Sequence, residues 1–177
     1  MRYAMIIDTK KCVGCCDCVV ACQTENDVPL GNSRDWVKEN LTGKYPKLER
    51  EIRSERCNHC ENSPCVRCCP TSASHYDEGG IVMVNGVDCI GCGACIQSCP
   101  YKARYTHPKG YVDKCTFCLH RIRKGEDPAC VAVCPTNTMY FGDLNDSSNG
   151  LSEMLKKRKY KVLAPEAGTG PQVYYLI

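Results

Sequence analysis

Two phenylalanines, one tryptophan and ten tyrosines in 177 residues leave few large rings for a conventional core. That scarcity excludes a fold of this length held by apolar packing alone. No run of 18 apolar residues occurs, which excludes a membrane-spanning helix. Met1 to Ile7 carries one basic residue and no long apolar stretch, so neither a cleavable secretory signal nor a twin-arginine leader is expected there. Also missing are a phosphate-cradling GxxxxGK(S/T), a dinucleotide GxGxxG after a strand, an HExxH pair and a nucleophile elbow. Without them the expectation is a conductor, not a catalyst.

Cysteine is what the chain has in excess, 18 residues of 177. Such density means disulfides in a small exported protein, or metal ligands. Sixteen of the eighteen fall into four groups, each with three residues before its last cysteine. The first is Cys12-x2-Cys15-x2-Cys18-x3-Cys22. The second is Cys57-x2-Cys60-x4-Cys65-x3-Cys69-Pro70. The third, Cys89-x2-Cys92-x2-Cys95-x3-Cys99-Pro100, has the spacing of a two-cluster ferredoxin run. The fourth is stretched, Cys115-x2-Cys118-x11-Cys130-x3-Cys134-Pro135.

The spacing has a geometric reason. A cubane cluster presents iron corners a few ångströms apart, so three thiolates must come from one tight loop, and two-residue gaps aim successive sulfurs at successive corners. Gly14, Gly91 and Gly93 lie where such a loop needs them. The fourth cysteine of each run faces the neighbouring cluster and ligates that one, so clusters come in linked pairs. Groups two and three lie close in sequence and are expected to form a compact ferredoxin-like unit, leaving one and four to pair across it. The ligand sets are then Cys12, Cys15, Cys18 with Cys134; Cys115, Cys118, Cys130 with Cys22; Cys57, Cys60, Cys65 with Cys99; and Cys89, Cys92, Cys95 with Cys69. The alternative pairs one with two and three with four. Four [4Fe-4S] clusters are expected in either case. Cys16 and Cys68 remain over, each beside a ligand, and read as small buried fillers, with a redox or ligand-swap role as the sharper alternative.

A formal charge of +3 invites nucleic-acid binding, but cysteine thiolates are not in that count. Each cluster with its thiolates carries about −2, which takes the loaded chain to about −5. Lys10, Lys11, Arg67, Lys102, Arg104, Lys114, Arg121 and Arg123 then read as counter-charge near the cysteines, and Arg67 and Lys102 are expected to raise the potential of the nearest cluster. No basic face with stacking aromatics is present, so no nucleic-acid partner is expected. Zinc ribbons also use C-x2-C pairs, but they do not explain the third cysteine or the repeated Cys-Pro. His59 and His120, beside cluster loops, could tune a cluster through a hydrogen bond; the bland reading for these and for His75 and His107 is packing or solvent exposure.

The expected fold class is α+β: two ferredoxin-like lobes related by internal duplication, each with two clusters, plus irregular insertions. Residues 1–22 with 101–145 form the first, discontinuous lobe and 57–100 the second. Residues 23–56 are an insertion, and 146–177 a C-terminal extension. Tyr3 to Ile7 and Ile81 to Val84 read as strands entering cluster loops, Asp17 to Glu25 and Ala94 to Ser98 as helices leaving them, and Ala103 to Tyr105 as a return strand. Gln23 to Arg56, with Pro29, Gly31 and Pro46, reads as an irregular surface excursion whose Trp36 packs locally or anchors a partner. The tail reads as a helix over Leu151 to Arg158, with Ser147, Ser148 and Asn149 as cap candidates. Its apolar end, Val173 to Ile177, either docks on the body or inserts into a partner subunit.

The stretches CVGCCDCVVAC, CNHCENSPCVRCCPT, CIGCGACIQSCPYKARY and DKCTFCLHRIRKGEDPACVAVCPT resemble the four-cluster iron–sulfur subunits of molybdopterin oxidoreductases of the dimethyl sulfoxide reductase group, polysulfide and thiosulfate reductases among them. The likeness covers about residues 3 to 145 and extends to the tail PEAGTGPQVYYL. It implies a non-catalytic subunit that passes single electrons between a molybdopterin catalytic subunit and a quinone-reactive membrane anchor or soluble redox partner. The related alternative is an electron-transfer subunit of a cytoplasmic formate dehydrogenase or hydrogenase system. Because relatives of this kind are exported folded beside a catalytic subunit, the complex is expected at the membrane, on the periplasmic side by co-export, or in the cytoplasm. Anaerobic analysis should return about 16 iron atoms per chain, and a count near eight would remove two of the four expected clusters.

Overall fold

The computed structural model describes all 177 residues. Ten strands and six short helices follow one another along the chain. They are β1 Tyr3–Asp8, α1 Asp17–Glu25, β2 Asp35–Lys44, β3 Lys47–Arg56, α2 Pro64–Arg67, β4 Ser74–Tyr76, β5 Val82–Val84, α3 Ala94–Gln97, β6 Tyr105–Thr106, β7 Val112–Asp113, α4 Leu119–Ile122, α5 Ala129–Ala132, β8 Met139–Asp143, α6 Leu151–Lys157, β9 Tyr160–Lys161 and β10 Val173–Leu176. The molecule is a small mixed α/β protein. Four of its helices span four residues each, and three of these, α2, α3 and α5, carry a cysteine.

One four-stranded sheet, in the order β8-β1-β10-β9, forms the main support. In β1 the alternation typical of a strand is buried on both faces. Met5 and Ile7 pack with Phe117, Met139, Val173 and Tyr175 on the cysteine side, while Ala4 and Ile6 pack with Leu151, Tyr174 and Leu176 on the other. Three two-stranded pairs, β2-β3, β4-β5 and β6-β7, stand around this sheet. The expected strand before the third cysteine group is present as β5. The return strand begins at Tyr105 instead of Ala103, and pairs with β7 across a loop.

The stretch 23–56 is irregular only over residues 26–34, between α1 and β2. Asp35 to Arg56 is a regular antiparallel hairpin, in register from Asp35↔Arg56 to Lys44↔Lys47. Pro46, read from sequence as a breaker, lies in the two-residue connection, where no ladder bond is required of it. Trp36 packs locally, its indole N–H donating to Glu55 Oε2 at 3.1 Å. The far half of the hairpin is exposed, and its base, Asp35 with Arg53 to Arg56, is buried.

The tail docks on the body. β10 lies parallel to β1 in the middle of the sheet, with Val173, Tyr174, Tyr175 and Leu176 all buried. Immediately before it, the backbone grips the second cysteine loop: Glu61 N–H donates to Gly170 O, Asn62 N–H to Thr169 O, and Gln172 N–H to Asn58 O, at 2.8 to 2.9 Å. The N-cap of the tail helix is Gly150, none of the three cap candidates, and Asn149 just before it accepts from Leu151 N–H at 3.0 Å through Oδ1. Burying four such side chains contributes about 6 kcal/mol or more, comparable with the whole stability of a domain, about 5–15 kcal/mol. Deleting Val173 to Ile177 should therefore abolish soluble, iron-containing protein, and a truncated chain that retained its full iron would show β10 to be dispensable.

Candidate iron–sulfur sites

All eighteen cysteines are free thiols, which removes the disulfide-scaffold reading. The four loops that carry them share a backbone feature. Two residues after the first cysteine of every group, φ is positive: Gly14 at 75°, His59 at 42°, Gly91 at 69° and Phe117 at 52°. Glycine serves twice. At Gly91 a Cβ would also stand 2.5 Å from the Gly110 carbonyl oxygen. The other two positions are bulky and strained there by about 1–2 kcal/mol each. They hold each other, the His59 and Phe117 rings stacking with centroids 3.8 Å apart. Val82 N–H donates to His59 Nδ1 at 3.1 Å, and no partner reaches Nε2. A second repeat follows the Cys-Pro pairs, where Ser72, Lys102 and Asn137 all have positive φ three residues after the last cysteine. Cys16 occupies, with φ of 67°, the left-handed helix-start position that Gly93 fills in the third group at 75°.

The loops gather sulfurs from distant parts of the chain. Cys12, Cys15 and Cys18 line one cleft together with Cys134, and the spare Cys16 lines it too. Cys115, Cys118 and Cys130 line a second together with Cys22. In the second and third groups, Cys57 and Cys65 press on the acidity of Cys60, and Cys57 and Cys99 on that of Cys65. Cys95 is affected by Cys89 and by the spare Cys68, whose sulfur lies 3.4 Å from Ser98 Oγ; Cys92 and Cys69 are not among its strongest influences. Nowhere do three or more His, Cys, Asp or Glu side chains converge as about a single metal ion.

Exposure divides the four sets. Cys15 and Cys92 are exposed, beside exposed Val13 and Val20 in one case and Val87 and Ile90 in the other. Cys22, Cys115, Cys118 and Cys130 are all buried, as are Cys57, Cys60 and Cys65. Burial pushes the Cys18 and Cys22 thiols up to about 12, and Cys60 and Cys130 to about 11. Thiols so reluctant to ionise alone become thiolates only when a cation occupies the space they line. At Cys69 and Cys134 burial is outweighed by donors. Ser74 N–H and Thr138 N–H each lie 3.4 Å from sulfur, and both thiols fall below their ordinary value.

Three buried cations stand against these sulfurs. Arg56 Nη1 donates to Cys130 Sγ at 2.8 Å, and Nη2 pairs with Asp35 Oδ2 at 3.0 Å and bonds Ser54 Oγ. Arg104 Nη2 donates to Cys65 Sγ and to Ser74 Oγ, both at 2.9 Å. Lys114 Nζ donates to the carbonyl oxygens of Val82 and, at 2.7 Å, of Cys115. Burial lowers its pKa, and the sulfurs of Cys57, Cys115 and Cys65 oppose that fall. Arg67 and Lys102, expected to act on the clusters, are instead exposed. His120 pairs with Glu25 at 2.7 Å and makes no bond to sulfur. Arg56, Asp35 and Ser54 are the residues that sequence reasoning missed. The one signal pointing to them was position, since Arg56 and Lys114 each directly precede the first cysteine of a group.

Comparison with known proteins agrees with this chemistry. Residues 48–144 match the family described as 4Fe-4S dicluster domain. A subunit of the tetrathionate reductase of Salmonella typhimurium is 42% identical over 99% of this chain and 72% of its own length. The arsenate respiratory reductase iron–sulfur subunit ArrB of a Shewanella species is 35% identical over 99% and 96%. The thiosulfate reductase electron transfer subunit PhsB of Salmonella typhi is 46% identical over 82% and 78%. From the geometry at the hairpin base, Arg56→Met should leave the Asp35 carboxylate buried and unpaired, at a cost of about 3–5 kcal/mol. Adding Asp35→Asn should recover much of that loss. Denaturant-driven bleaching of the anaerobic protein reads both, and an unchanged midpoint in Arg56→Met would count against the pair's structural role.

Proposed function

We propose, since the chain belongs to the iron–sulfur electron-transfer subunits of the dimethyl sulfoxide reductase family of molybdopterin oxidoreductases, that it carries four [4Fe-4S] clusters between a molybdopterin catalytic subunit and a quinone-linked membrane anchor or soluble redox partner. The ligand sets are Cys12, Cys15, Cys18 with Cys134; Cys115, Cys118, Cys130 with Cys22; Cys57, Cys60, Cys65 with Cys99; and Cys89, Cys92, Cys95 with Cys69. The observation that carries this reading is the presence of Cys134 among the first group's thiols and of Cys22 among the fourth's. Bound there, such clusters supply one-electron carriers.

The protein's own residues do the rest. Buried loops exclude water from the two inner sets, and Cys115 and Cys57 lie near enough to affect one another across the junction between them. The exposed cysteines and apolar side chains at the Cys12 and Cys89 sets suit them to face partners at the two ends. Arg56, Arg104 and Lys114 set local charge, and backbone N–H groups reach Cys69, Cys89, Cys115 and Cys134. Two ferredoxin-like lobes related by duplication, 57–100 nested within 1–22 and 101–145, account for the repeated loop geometry. On this reading residues 146–177 bridge the two.

No helix is long and apolar enough to cross a membrane, so attachment falls to a partner, on the periplasmic side by co-export or in the cytoplasm. The names of the tetrathionate and thiosulfate relatives point to reduction of sulfur compounds by the catalytic partner. A cytoplasmic formate dehydrogenase or hydrogenase system keeps the same clusters and changes that partner. Co-purification followed by molybdenum, tungsten and nickel analysis separates the two. For the ligand sets, Cys12→Ser and Cys134→Ser should alter one EPR signal, and Cys118→Ser and Cys22→Ser another. If Cys134→Ser altered the Cys89 signal instead, the nested pairing would fall.

A further inference from the structure

Resting on those ligand sets, we propose that Arg104 and Lys114 make the Cys57, Cys60, Cys65, Cys99 site the most electron-accepting of the four, an electron sink in the interior of the relay. Arg104 is 6% exposed and Lys114 1%. Every bond either cation makes goes to sulfur, hydroxyl or carbonyl oxygen, none to a carboxylate. Arg104 Nε and Nη1 have no partner at all. The hydroxyls of Thr169 and Tyr101, 2.6 Å apart, add their dipoles beside Cys60.

The other three sites differ from this one. The Cys115 set shares Lys114 through Cys115, but its own buried cation, Arg56, is paired with the Asp35 carboxylate at 3.0 Å, which offsets its charge. At the Cys12 set the donors to Cys134 are the neutral Thr138 N–H and the Thr136 hydroxyl. The Cys89 set shares Arg104 through Cys95, but Cys92 opens it to water, which screens the charge. An electron adds a negative charge to whichever site receives it, so a fixed cation favours reduction in proportion to how little water screens it. Burial alone penalises the added charge. The same exclusion of water leaves the two cations with no carboxylate to cancel them, and their sum prevails. An electron gained by this site is lost by a neighbouring one, with no bond made or broken and no proton taken up.

Anaerobic redox titration of the intact, iron-loaded chain followed by EPR tests this. Cys60→Ser shifts or removes the signal belonging to the site, and that signal should be the one reduced first in the unaltered protein. Lys114→Met and Arg104→Gln should each move its one-electron equilibrium at least tenfold toward the oxidised form, about 59 mV, with smaller changes elsewhere. Lys114→Arg and Arg104→Lys keep the charge and should hold it within about threefold. Iron per chain, measured on every preparation, separates a lost fold from a moved potential. A different centre reduced first, or an unmoved midpoint in a charge-removing variant with full iron, overturns the proposal. An iron count near eight in the unaltered chain, or Cys60→Ser and Cys99→Ser altering different signals, would instead overturn the ligand sets beneath it.

Discussion

Several thiols must converge on one small space, and the remainder of the architecture answers to that demand. A loop that points three sulfurs inward within a few residues has to reverse its backbone, which is why the second residue after each leading cysteine adopts positive φ. Helices between such loops have little to do beyond delivering the next sulfur, so most are a single turn. The volume that large side chains would fill elsewhere is left to the inorganic groups. A poverty of aromatics and an abundance of cysteine are thus one property expressed twice.

Convergence of sulfur creates a second problem, the accumulation of negative charge in a place without water. The chain answers with buried cations, and one of them is delivered by the hairpin β2-β3. At its base, Asp35, Ser54 and Arg56 form a bonded set against Cys130. Tyr175 from β10 closes over it, its hydroxyl donating to Ser54 O at 3.2 Å. A segment that reads by composition as an excursion therefore contributes the charge balance of one site.

The sequence was most readable where chemistry dictates spacing. Cysteine phase located the loops, and with them β1, α1 and α3 at nearly their true bounds, because a strand must enter and a helix must leave each loop. The hairpin was illegible because Pro29, Gly31 and Pro46 suggested interruption, and nothing local reveals that Pro46 falls in the turn between two ten-residue strands. The choice of acting cations was illegible for a different reason. Arg67 and Arg56 are equally close to cysteines in sequence, yet one is exposed and the other wholly buried. Only the fold decides which charge is desolvated, and desolvation decides which charge counts.

Arg56 and Lys114 occupy the same place in their groups, one residue before the leading cysteine, and each reaches across to the other group. Arg56 precedes Cys57 but bonds the sulfur of Cys130, while Lys114 precedes Cys115 but lodges on the Val82 carbonyl, near Cys57 and Cys65. Such an exchange means that neither group of cysteines is balanced in charge without the other. Separating them would expose two cations to water and leave two sets of sulfurs uncompensated, a cost added to that of parting His59 from Phe117. The junction between the inner sites is in this way held by the groups that tune them, so rigidity and potential share a common origin.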